Sequence, residues 1–91
     1  MSKIDRLKPW TIIEIFWIDS MALSRWHHED DARDSTKDDD LKHKTVGYFF
    51  KATKASIAVV QSKSDYENKK GNVDAVMQIP RVAITKVRIL K

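Results

Sequence analysis

The stretch VDAVMQIPRVAITKVRILK, from Val73 to Lys91, decides the fold. Val73, Ala75, Met77 and Ile79 recur at every second position, the period of a strand with one apolar face, so Asn72 to Ile79 reads as a strand. Pro80 has no amide hydrogen to give a ladder, so Ile79-Pro80-Arg81 reads as a corner. Beyond it Val87 and Ile89 alternate with Lys86 and Arg88, a second strand over Ile84 to Leu90. Two strands joined through one short corner are what a small β-barrel needs to close on itself.

Upstream, three more segments carry the β-branched and aromatic residues that favour a pleated surface. The first is Trp10 to Ile18, WTIIEIFWI, which begins after Pro9 and sets Ile13, Ile15 and Trp17 on one face. Ile12, Phe16 and Ile18 surround Glu14 on the other, so both faces are apolar. That surplus implies either strong coiling or a subunit interface, and the interface is the expectation, since exposed apolar patches have partners. The second is Lys44 to Thr53, with Val46, Tyr48 and Phe50 on one face, Phe49 and Lys51 on the other, and Gly47 suggesting a bulge or sharp bend. The third is Ala55 to Ser62, close enough for a hairpin, although the link lacks an Asn-Gly signal. Residues 1–8 are a basic lead with room for one helical turn. Asp19 and Ser20 are able to cap another after the first strand, and Lys63 to Asn72 is a polar turn region. The expectation is an all-β single domain over residues 1–91: a small five-stranded barrel, Sm-like or SH3-like, with a long acidic loop after the first strand.

Charge is segregated within a net +4. Seven acidic residues (Glu29, Asp30, Asp31, Asp34, Asp38, Asp39, Asp40) stand against Arg33 and Lys37 between positions 29 and 40, leaving 15 basic and 6 acidic residues elsewhere. The excursion has no hydrophobic period and reads as a mobile loop. The basic body suits either an anionic partner or a solubilising surface. Cysteine is absent, which excludes disulfides and thiolate chemistry. No apolar run approaches a membrane span of roughly 20 residues, and the charged start does not read as a signal peptide, so a cytoplasmic protein with no membrane partner is expected.

No Gly-x-Ser-x-Gly, Gly-rich phosphate loop, zinc-protease motif or cysteine nucleophile is present, and nothing pairs a nucleophile with a base. The expectation is a binding protein without catalytic residues, metal or cofactor. His27 and His28 are adjacent and lack the spacing of a zinc pair, and the Asp-rich run lacks the glycine and closing glutamate of a calcium loop. Trp26, among Arg25, His27 and His28 and outside any periodic run, either stacks on a ligand or pins its loop to the barrel. Tyr48 is a further aromatic able to stack, with core packing as its alternative. Arg81, fixed by Pro80, suits a phosphate or carboxylate. Gln61 and Ser62 end the third strand at a rim and offer hydrogen bonds, unless they serve only nearby backbone. Asp19, at the end of the first strand, completes the candidate ligand contacts.

The series Trp17-Ile18-Asp19, Thr45-Val46-Gly47-Tyr48 and Ile79-Pro80-Arg81-Val82-Ala83-Ile84 resembles a widespread group of small bacteriophage and prophage proteins. The resemblance covers the chain except 29–40. It implies a small, often oligomeric barrel of Sm-like type, in a group that includes sponges sequestering the cyclic nucleotides of bacterial immune signalling. The expected function is therefore non-enzymatic sequestration of a small nucleotide by a homo-oligomer in the host cytoplasm. The alternatives are a single-stranded nucleic-acid or RNA-binding module, or a protein-interaction module. The acidic loop departs from the group's pattern.

Overall fold

The computed structural model describes residues 3–20, 25–64 and 71–90. Five strands form one antiparallel sheet: β1 (Ile12–Ile18), β2 (Lys42–Ala52), β3 (Ser56–Lys63), β4 (Val73–Pro80) and β5 (Ile84–Ile89). Their order across the sheet is β4-β3-β2-β1-β5. All five sit within two residues of where the alternation puts them. The fold is the five-stranded, mostly-β one expected from sequence, and its hydrogen-bonded ladder is open, with β4 and β5 as its edges.

One face carries the core. Ile13 and Ile15 from β1, Phe49 from β2, Ile57 and Val59 from β3 and Ile79 from β4 are buried together, and Trp17, Ile84 and Val87 pack against them. A core shared by both edge strands means that the sheet curls over its own face. Ile4 and Leu7, flanking the end of a 3-10 turn at Lys3–Arg6, cover part of it. The corner after β4 is a second 3-10 turn, Arg81–Ala83, whose first amide donates to the Ala55 carbonyl at 2.8 Å.

Two bulges interrupt the alternation. In β2, Phe49 faces Val59 but Lys51 faces Ala58, so Phe50 is an extra residue. That insertion carries Lys51 off the Phe49 face, where alternation had put it, and lets Phe50 meet Trp10 at 5.9 Å between ring centroids. In β5, Phe16 faces Lys86 but Trp17 faces Ile84, leaving Thr85 extra. Gly47 is not at a bulge. A Cβ there would come 3.0 Å from the Val60 carbonyl oxygen and 3.2 Å from the Val59 Cβ, so glycine serves close strand approach.

β2 and β3 part beyond the Tyr48–Val60 pair: the first half of β2 pairs with β1 alone, while β3 continues with β4 to Lys63–Val73. β4 reaches the core only through Ile79. Ala75 has φ 55° and is exposed, and Met77 is largely exposed, accepting from the Thr45 hydroxyl at 3.6 Å. The β2–β3 link is closed by Thr53, whose Oγ1 accepts from the amides of Ala55 at 3.2 Å and Ser56 at 3.1 Å, a side-chain-capped turn in place of an Asn-Gly one.

The acidic segment is not a structureless loop. It holds a short helix, α1 (Glu29–Asp34), and a 3-10 turn at Asp38–Leu41, neither with a buried residue. Three acidic residues in the first turn of α1 complement the helix dipole, and Glu29 pairs with Arg33 one turn on at 3.5 Å. Such local terms leave no hydrophobic period to read. The expected cap by Asp19 and Ser20 concerns 21–24, and most of the Lys63–Asn72 turn is 65–70; both lie outside the described residues.

Candidate functional site

The six residues singled out from sequence do not converge. Trp26 is fully exposed in the irregular segment before α1. Tyr48 is half-buried in β2, opposite Ile12 and Val60. Gln61 Nε2 donates to the Val46 carbonyl at 2.7 Å, which serves the backbone where β3 leaves β2. Ser62 faces Asp74 and lines a shallow cleft of about 200 Å³ with Lys63, Ser64 and Asn72. Asp19 Oδ1 accepts from the Ser20 amide at 2.7 Å at the exposed end of β1. Arg81 is half-buried at the corner and borders an open cleft of about 320 Å³ with Ile57, Ile84, Lys86 and Val87.

A different group of residues does converge. At the end of the sheet where β1 finishes and β2 begins lies a cleft of about 180 Å³, lined by Phe16, Trp17, Ile18, Lys42, His43, Lys44 and Thr85. Register builds it. Pairing of β1 with β2 sets Trp17 opposite His43 and Phe16 opposite Lys44, while β5 sets Lys86 on the other side of Phe16. The Trp17 and His43 rings stack with centroids 4.8 Å apart and planes 30° apart. Trp17 Nε1 donates to Thr45 Oγ1 at 2.9 Å, which fixes the indole. The Phe16 ring is flanked by two ammonium groups, Lys44 at 5.5 Å and Lys86 at 5.4 Å from its centroid, both within cation–π range.

The bulge shapes the third wall. Thr85, displaced from the ladder, donates through Oγ1 to the Phe16 carbonyl at 3.2 Å. Below it on the same face, Arg88 pairs with Glu14 at 2.9 Å, which neutralises the one carboxylate of β1. The surplus apolar face of β1 is thus real, and cations border it on both neighbouring strands. Chemically, the cleft offers aromatic and apolar walls for a flat ring and ammonium groups for an anion carried on it. No cluster able to hold a metal ion occurs among the described residues.

A sequence signal for these residues exists. Lys42 and Lys44, like Lys86 and Arg88, stand two apart in strands, so each pair shares a face. What sequence alone does not show is that those two faces flank Phe16, because that depends on the register of β1 with both neighbours. Comparison with family models, curated proteins and solved structures finds no match to this chain.

Proposed function

We propose that this chain is a non-enzymatic binding module that holds a small nucleotide in the cleft at the end of β1 and β2. The observation that carries the reading is Phe16 on the outer face of the sheet, between the ammonium groups of Lys44, which lines the cleft, and Lys86 at its border. At this end of the sheet the cleft also reaches the stacked Trp17–His43 pair of the opposite face. Stacking of a base on an aromatic ring contributes about 1–3 kcal/mol and tolerates any base, and paired ammonium groups suit phosphate. The sheet order, with a 3-10 corner between β4 and β5 and a core shared by both edges, supports an Sm-like or SH3-like barrel as the scaffold. The resemblance to phage proteins extends the proposal to a cyclic-oligonucleotide signal, sequestered in the host cytoplasm to blunt anti-phage immunity.

Calorimetry against cyclic di- and trinucleotides, mononucleotides and ADP-ribose derivatives tests it. At least one should bind, and Lys44→Glu with Lys86→Glu should weaken that binding at least about tenfold. Silence across the panel removes the reading.

A second reading, single-stranded nucleic acid lying across the sheet, is favoured by one observation: Lys44, Lys86 and Arg88 are exposed on strands either side of β1. It predicts affinity falling steeply with salt as counterions are released. A ligand confined to the cleft gives a shallower slope. We also propose a homo-oligomer, because Ile12, Ile18 and Val46 on this face are 42%, 45% and 43% exposed. Light scattering that returns the monomer mass would count against it.

A further inference from the structure

The connection between β1 and β2 leaves and re-enters the fold at the rim of the cleft. Ile18 and Lys42 are cross-strand partners and both line it. Asp19 and Leu41 close the base of the connection through a backbone hydrogen bond of 2.9 Å. All seven carboxylates of residues 29–40 are therefore tethered to one edge of the proposed site. Asp39 already reaches it, with Oδ1 3.0 Å from the Lys42 ammonium. α1 has no buried residue, and Glu29, Asp30, Asp31 and Asp34 are exposed to solvent.

We infer that this acidic arm is a length filter: it makes the cleft selective for short nucleotides over polynucleotides. The inference rests on the cleft reading above. A mono- or dinucleotide places its phosphates beside Lys44 and Lys86, on the strands flanking Phe16. A polynucleotide must continue out of the cleft, and the rim at Ile18 and Lys42 carries it past Asp38, Asp39 and Asp40. At 0.1 M ionic strength the screening length is about 10 Å, so phosphates crossing the rim are still repelled by carboxylates within that range, although Asp39 is itself paired with Lys42. The rim lysine that would offset the repulsion is engaged by Asp39. The arm is not a binding site itself; it removes the counterion-release gain on which long polyanions depend.

The experiment compares the full chain with a variant neutral at all seven positions (Glu29→Gln and Asn for each aspartate) and with one neutral only at Asp38, Asp39 and Asp40. The probes are cyclic diguanylate and a 20-nucleotide oligothymidylate. In 50 mM salt, the seven-site variant should bind the oligonucleotide at least about tenfold more tightly, the three-site variant should show most of that gain, and cyclic diguanylate should change by less than about threefold. In 0.5 M salt the difference should vanish, since screening then acts within a few ångströms. An unchanged oligonucleotide affinity, or an equal gain for both probes, overturns the filter while leaving the cleft standing. Failure of every variant to bind either probe overturns the filter and counts against the cleft as well. Circular dichroism checks that the variants fold.

Discussion

Gly47 shows how one position ties strand register to packing. It faces Ile13 in β1, and its missing side chain lets the Val60 carbonyl and Val59 approach where β2 and β3 begin to part. A methyl group there meets backbone, which cannot swing aside. Gly47→Ala should therefore destabilise the protein by about 1–3 kcal/mol through overpacking, measured by urea unfolding. A loss under a few tenths of a kcal/mol would mean the strands separate freely at that point. Gln61 is the complementary case. Its amide was a candidate ligand contact by position, yet it donates to the Val46 carbonyl that the departing β3 no longer satisfies. Phe16 moves the other way, from one of several apolar residues to the centre of the cleft.

At the level of elements, strands were legible from their β-branched and aromatic content, although burial follows the two-residue period only in β1 and the middle of β2, while β3 is buried continuously from Ser56 to Val60. Ile13 and Ile15 fall where alternation puts them, whereas in β2 the face with fewer apolar residues turns inward: Phe49 is buried while Val46 and Phe50 are exposed. The bulges at Phe50 and Thr85 were not legible, because each is an extra residue relative to a neighbour and so depends on the partner strand. The helix α1 escaped for a different reason: its support is charge at the first turn and one exposed ion pair, with no apolar stripe. The candidate cleft was legible only in its ingredients, aromatics and alternating lysines. Trp26 and Arg81 drew attention as isolated residues, whereas the cleft comes from cross-strand neighbours. The arm's lack of buried residues carries a stability prediction. Replacing residues 25–40 with four glycine and serine residues shortens the loop closed by Asp19 and Leu41, and should stabilise the fold by about 0.7 kcal/mol from loop-closure entropy. A marked fall in thermal midpoint would show that the arm packs on the sheet.

The whole molecule is elongated, 58 × 29 × 24 Å with a radius of gyration of 17.0 Å, against about 12 Å for a compact chain of this length. Its charge is divided the same way, basic on the sheet and acidic on the arm. One face of the curled sheet carries the main core, and the other, where Val60 is also buried, presents Phe16 among cations. No helix among the described residues is long and apolar enough to cross a membrane. The central claim is the location of the site, and amide and indole chemical shifts during titration with cyclic diguanylate test it most directly. Shifts should concentrate at Phe16 to Ile18, Lys42 to Lys44 and Thr85 to Lys86, with the Trp17 indole among the largest. Shifts centred on Trp26 or Arg81, or none at saturating nucleotide, would contradict the account.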